Sequence, residues 1–181
     1  MRRIALIVAI IFLCSLSLVA QQVEDPCEST KIHLTSSDGA DYTLAEVTKN
    51  APCLDNAFIR LIGIYHVSFE NSVLYDPVDA PGSAWLDWDP FYPAVKRCGD
   101  QRALKSLDRK HAGTFGLIAL GIMRTSGRYG HMGGWNMKFQ PICIEKAVLL
   151  SKSGSYADYQ KPTEQKKIND WYKRQVEGMY K

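Results

Sequence analysis

A long segment of β-forming residues, from Phe58 to Glu70, restricts the fold more than any other part of the chain, because β-branched and aromatic residues predominate in it. In an extended chain, one side of this segment is apolar apart from one glycine: Ile59, Leu61, Gly63, Tyr65, Val67 and Phe69. The other side begins apolar and becomes polar: Ile62, Ile64, His66, Ser68 and Glu70. This pattern predicts a strand in a small, strongly curved sheet, with Gly63 at the sharpest bend.

The remaining secondary structure follows from periodicity and turn residues. Further strands are predicted at 72–75, 85–87, 115–123 and from 135 onward, the last continuing past a bulge at Pro141. Helices are predicted at 44–50, 100–110 and 163–179. The first of these helices should begin with a capping box, because Thr43 is followed three residues later by Glu46.

From Phe58 onward the predicted order is three strands, a helix and two strands. This is the order of an OB-type barrel, which has a helix between strands three and four. The predicted fold class is therefore mainly β with flanking helices, containing a small five-stranded OB-like Greek-key barrel. The predicted organisation is a signal peptide at 1–20, an N-terminal extension with a short helix at 21–56, the barrel at 57–150 and a C-terminal helical tail at 151–181.

Several short motifs lie in this barrel region. They are Ile62-Gly63-Ile64 with Phe69-Glu70, then Trp85-Leu86, then Gly130-His131-Met132-Gly133 before the last strand. In these motifs the chain resembles uncharacterised exported bacterial proteins with an OB-like core, over about half its length. The resemblance implies a fold and an exported protein, and the family brings no established activity.

The N-terminus has the features of an export signal. Arg2 and Arg3 precede an apolar run from Ile4 to Val19, and the small residue Ala20 follows. This order of charge, apolar run and small residue is typical of a cleaved signal peptide, so we expect a periplasmic or secreted protein. The alternative is an uncleaved anchor, since the 17 residues from Ile4 to Ala20 are near the short limit for a membrane span.

After removal of the signal, four cysteines remain: Cys27, Cys53, Cys98 and Cys143. An even number of cysteines in an exported chain indicates two disulfides, although four cysteines permit three pairings. We favour Cys27 with Cys53 and Cys98 with Cys143. The spacing does not match a zinc site, and neither a metal nor another cofactor is predicted.

Charge is divided unevenly along the chain. Residues 21–95 carry a net charge of −9 and residues 96–181 a net charge of +10, with the densest basic run at 96–110. That basic run is either a solvated helix face or a contact surface for an acidic partner or a membrane. Nucleic acid is disfavoured as a ligand because the chain is exported and its first half is acidic.

Two groups of side chains are candidates for ligand binding. Trp85 and Trp88 begin an aromatic cluster that either stacks on sugar rings or bases or seals the end of the barrel. The glycine-rich loop at 127–134 places Tyr129 and His131 next to Trp135. This loop lacks the pattern of a phosphate-binding loop, because a strand follows it where such loops need a helix.

His66 and Glu70 lie on one side of the long strand, and they are candidates for a metal or acid–base site. Four residues of a strand span about 13 Å, so a site would also need a group from elsewhere, such as His131, His111 or Asp87. Our leading hypothesis is an exported β-barrel binding or interaction module for an unidentified ligand or protein. The alternative is a metal-assisted or acid–base hydrolase that uses His66, Glu70 and His131. After signal cleavage we expect no membrane attachment, and the sequence leaves the oligomeric state open.

Overall fold

The structure is a computed structural model that describes residue 27 and residues 41–68, 71–77, 82–87, 101–108, 112–152 and 161–180. The predicted signal peptide lies outside the described residues, as do Glu70, Trp88 and Cys98. The described part is mainly β, with a six-stranded mixed sheet and flanking helices. None of the described helices has the length and hydropathy needed to cross a bilayer.

The strands of the sheet are β1 (Asp41–Thr43), β2 (Ala57–Ser68), β3 (Asn71–Tyr75), β4 (Ser83–Leu86), β5 (Gly113–Arg124) and β6 (Lys138–Ser151). The helices are α1 (Leu44–Lys49), α2 (Gln101–Asp108) and α3 (Pro162–Met179). Two short 3₁₀ turns lie at Ala51–Cys53 and His131–Gly133.

Hydrogen bonding orders the strands β1-β2-β3-β4-β6-β5, with an additional pairing between β2 and β5. The pairs β1–β2 and β4–β6 are parallel, and the others are antiparallel. Because β2 is twelve residues long, it pairs with β1 in its first half and with β3 in its second half, while β5 runs along nearly its whole length. The long strand predicted from the sequence is therefore the strand that organises the sheet.

Alternation along β2 and β5 divides the buried side chains between the two faces of the sheet. One face holds the larger apolar core, which includes Leu61, Phe115 and Phe139. The opposite face is covered by α3 in a second apolar cluster of Ile62, Ile64, Ile118, Ile168, Trp171 and Tyr172. Both long strands are consequently apolar on two sides where α3 crosses them.

Close packing of α3 depends on Gly116 of β5. A Cβ atom at this position would overlap the indole ring of Trp171. At Gly63, by contrast, a Cβ would meet Leu74 Cδ2 at an ordinary contact distance of 3.6 Å, and the bend that the sequence suggests there stays a prediction. Space is therefore limiting at Gly116, and it is not limiting at Gly63.

Several sequence predictions are confirmed in detail. The capping box of α1 is present, with the Glu46 amide donating to Thr43 Oγ1 at 3.2 Å and the Thr43 amide donating to Glu46 Oε2 at 2.7 Å. The C-terminal helix buries Ile168, Trp171 and Tyr172 on one face as expected. The strand β1 was not predicted, since three residues are too few to show a period.

The disulfide between Cys27 and Cys53 is present, and it closes a sequence separation of 26 residues. Cys143 is also disulfide-bonded. Its proposed partner Cys98 lies outside the described residues, so this second pairing stays a prediction.

A candidate binding surface at the loop between β5 and β6

The segment 125–137, called the β5–β6 loop below, joins two long strands and is anchored at its start. The Thr125 amide donates to Asp55 Oδ1 at 2.8 Å, and the Ser126 hydroxyl donates to Asp55 Oδ2 at 3.1 Å. The Thr125 hydroxyl donates to the Ala51 carbonyl at 2.5 Å. The hydrogen bonds that Asp55 accepts, first from the Thr125 amide and then from Ser126, lower the pKa of its carboxyl group. The loop is thus attached to the turn that Cys53 ties to Cys27.

Within the loop, Tyr129 and Trp135 form a narrow backbone bridge. The Tyr129 amide donates to the Trp135 carbonyl at 2.8 Å, and the Trp135 amide donates to the Tyr129 carbonyl at 3.2 Å. The Tyr129 hydroxyl donates to the Ser126 carbonyl at 2.6 Å. The 3₁₀ turn at His131–Gly133 therefore forms the tip of the loop, and the bridge between Tyr129 and Trp135 forms its base.

Trp85 of β4 packs against this base. Its ring centroid lies 5.0 Å from that of Trp135, with the two ring planes inclined by 50°. Gly130 lies against both rings, because a Cβ there would overlap Trp85 and lie 2.6 Å from Trp135 Cε3. Gly130 also has φ of +73°, a left-handed conformation that suits glycine. Glycine at position 130 is therefore required locally for the contact between the loop and β4.

An ion pair between Lys138 and Asp87 lies beside the ring of Tyr129. Lys138, the first residue of β6, places Nζ 2.9 Å from Asp87 Oδ2 and 5.3 Å from the centre of the Tyr129 ring. The cation thus faces both a carboxylate and the negative face of an aromatic ring. Lys138 pairs in register with Trp85, and Asp87 follows Trp85 by two residues, so Lys138 and Asp87 come from neighbouring segments of adjacent strands and their side chains can meet.

His66 lies on the same face of the sheet as Trp85. It pairs with Val73, and Val73 pairs with Trp85, so the three side chains are neighbours across three strands. Two strand spacings separate His66 from Trp85 by about 10 Å. His66 Nδ1 lies 3.0 Å from Thr114 Oγ1, and burial lowers the pKa of the imidazole.

The tip of the loop is exposed. The side chain of Met132 is 90% exposed, and the residue has φ of +58°, which is uncommon for a residue other than glycine. His131 is exposed beside it. The structure therefore presents an apolar side chain in a position where neither the core nor the sheet holds it.

Of the sequence-predicted site residues, the structure brings Trp85, Tyr129 and Trp135 together. His66 is on the same face but two strands away, and His131 lies on the exposed turn. Glu70 and Trp88 lie outside the described residues, so the hydrolytic arrangement that needs Glu70 stays a prediction.

The predicted strand at 135–139 is wrong at its start. Trp135 belongs to the loop bridge with Tyr129, and β6 begins at Lys138. The alternation of Trp135, Met137 and Phe139 resembles a strand, but the glycines at 133 and 134 turn the chain just before it. The bulge expected near Pro141 is present as a shift of register between Leu120 and Gly121 of the partner strand.

Sequence reasoning missed Lys138, Asp55 and Met132, and it considered Asp87 only as an acid for a metal or acid–base site. One signal was available for the pair of Asp87 and Lys138. The two residues carry opposite charges and lie in two predicted strands, as in a cross-strand ion pair. An apolar residue between glycines was a signal at Met132. Asp55 offered none, because its partners are 70 residues away in the chain.

A groove with a volume of about 830 Å³ lies between α1 and α3. Two pairs of its polar side chains are hydrogen-bonded to each other. The Tyr172 hydroxyl donates to Asp76 Oδ2 at 2.5 Å, and the Tyr180 hydroxyl donates to Glu46 Oε1 at 2.7 Å. These contacts attach α3 to the sheet and to α1. We therefore interpret the groove as part of the packing between these elements and not as a binding site.

Among the described residues, no three His, Cys, Asp or Glu side chains are placed to hold a metal ion together. Comparison of the chain with protein-family models, with curated proteins and with solved structures finds no match.

Proposed function

We propose that the protein is an exported binding module that engages its ligand with β4 and the β5–β6 loop. The proposed scaffold is an OB-like barrel. The pairings β2–β3, β3–β4, β4–β6, β6–β5 and β5–β2 form a complete cycle of five strands, and α2 lies in sequence between the third and the fourth of them. Five strands with a helix at this point of the chain are the features of an OB fold.

Export is proposed from two features that point to the same compartment. The charge and apolar pattern of residues 1–20 is typical of a signal peptide. The Cys27–Cys53 disulfide is of a kind that persists in oxidising compartments. We propose Cys98–Cys143 as the second disulfide on the same grounds.

The observation that carries the binding proposal is the meeting of Trp85, Tyr129 and Trp135 outside the core. Large aromatic side chains that are neither fully buried nor scattered mark surfaces that make contacts. OB-type barrels bind ligands on the face of their second and third strands and on adjoining loops. In the proposed barrel those strands are β3 and β4, so the placement agrees with the family pattern by analogy.

The test uses the indole N–H signals of the tryptophans in nuclear magnetic resonance spectra. Trp85 and Trp135 report on the proposed surface, and Trp171, covered by the α3–sheet contact, is an internal control. The probes are cellohexaose, a twelve-residue oligothymidylate, polyglutamate and small anionic bicelles that contain phosphatidylglycerol, added singly. We expect at least one probe to perturb Trp85 and Trp135 while Trp171 stays unchanged.

A Trp135→Leu variant provides the matched comparison, since it removes one ring of the surface and leaves the sheet intact. We expect it to weaken binding of the active probe by about tenfold, as for a buried aromatic contact. The proposal is wrong if all four probes leave Trp85 and Trp135 unperturbed, or if a probe binds equally well to the variant.

A further inference from the structure

We infer that the β5–β6 loop docks onto the surface of an anionic lipid bilayer. This inference rests on the proposed function, because it names the partner of the same loop. It is peripheral docking through one loop, so it differs from the membrane anchoring that the sequence analysis disfavoured after signal cleavage.

The first argument is the charge of the segment. Residues 124–138 contain Arg124, Arg128 and Lys138 and no aspartate or glutamate. Lys138 is paired with Asp87, whereas none of the described carboxylates forms an ion pair with Arg128, which is exposed and runs alongside Gly133. Basic residues close to an anionic bilayer are attracted to its negative surface potential.

The second argument is the position of the apolar groups. Met132 is 90% exposed at the tip, and the tip is held by the bridge between Tyr129 and Trp135 behind it. The loop thus combines an apolar side chain at its tip, Tyr and Trp at its base and an exposed cation beside the tip. These are the residue types that proteins present to acyl chains and headgroups at a bilayer surface.

The third argument separates a bilayer from a polymer with stacked rings. Nucleic acids and polysaccharides need aromatic faces that are free to stack. Here the rings of Trp85 and Trp135 are inclined by 50° and pack on each other, and Gly130 lies against both. The most exposed apolar group of the loop is the flexible side chain of Met132, which suits insertion among acyl chains.

The experiment measures cosedimentation of the exported full chain with vesicles of phosphatidylcholine, with and without one third phosphatidylglycerol. We expect binding to the anionic vesicles only, weakened by added salt. Met132→Ser should reduce the apparent affinity about tenfold, and Arg128→Gln about fivefold.

The controls are matched substitutions elsewhere on the surface. Phe58→Thr removes another exposed apolar side chain, and Arg174→Gln removes an exposed cation from α3. Both should bind like the unmodified chain, and thermal unfolding of all variants confirms that they are folded. A retained signal segment would bind neutral and anionic vesicles alike and would not depend on Met132.

The inference is overturned if anionic vesicles do not bind the protein, or if the control substitutions weaken binding as much as those in the loop. If vesicles fail while oligothymidylate or cellohexaose perturbs Trp85 and Trp135, the partner is a polymer and the binding proposal stands. If no probe perturbs the loop, both proposals fail.

Discussion

Gly130 combines a left-handed backbone with contact against two indole rings, so a side chain is excluded there for two reasons. We predict that Gly130→Ala lowers the free energy of unfolding by about 1–3 kcal/mol. Gly134→Ala is the matched control, because Gly134 has φ of −74° and its nearest atom to an added Cβ is 3.7 Å away. Urea denaturation of both variants measures the difference. Equal losses would show that the ring contact does not restrict position 130.

Burial of His66 predicts a dependence of stability on pH. Its pKa in the folded protein is lowered below the ordinary value of 6.5, so the unfolded chain binds the proton more readily. The free energy of unfolding should therefore fall as pH decreases from about 6.5 toward the folded pKa. His66→Gln should reduce this decline, whereas His131→Gln on the exposed turn should not. Denaturation series at several pH values measure the effect, and identical slopes in the two variants would contradict it.

At the scale of elements, α3 depends on a buried hydrogen bond. Tyr172 and Asp76 are each only 3% exposed, and the phenol donates to the carboxylate. Burial and this hydrogen bond both raise the pKa of Tyr172. We predict that Tyr172→Phe lowers the free energy of unfolding by about 1–3 kcal/mol, because Asp76 loses a donor in a buried site.

Tyr180→Phe is the comparison for that prediction. Its hydroxyl makes an equivalent hydrogen bond to Glu46, but the side chain is 70% exposed. Water can replace the lost donor there, so the change should stay within about 0.5 kcal/mol. Calorimetry of the two variants would contradict the argument if they lost equal stability.

Elements with a strong local pattern were predictable. The capping box of α1, the alternation of β2 and the apolar face of α3 are each encoded within one stretch of chain. The start of β6 was not predictable. The alternation of apolar residues from Trp135 onward resembles a strand, but Trp135 pairs with Tyr129 inside the loop. Within the candidate site, the sequence identified the aromatic residues but not their meeting, which depends on the parallel pairing of β4 with β6.

At the scale of the whole molecule, the Cys27–Cys53 disulfide restricts the unfolded chain. It closes a sequence separation of 26 residues, for which chain entropy implies about 3.5 kcal/mol of stabilisation. We predict that the Cys27→Ser/Cys53→Ser double variant unfolds at a correspondingly lower urea concentration. The same variant should loosen the turn that holds Thr125, which hydrogen exchange at its amide would detect. Unchanged stability would mean that the unfolded chain is already compact around these cysteines.

The pairing of β2 with β5 has a consequence for how the chain folds. β2 bonds along its length to β5, whose paired residues follow 46 to 66 positions later in the chain, and Arg60 of β2 reaches Glu145 of β6 across a separation of 85. Contacts so distant in sequence slow folding, since a large loop must close before they form. The nascent polypeptide therefore emerges before β5 is available to pair with β2, and this delay suits the export that we propose, because a translocation channel accepts unfolded chains.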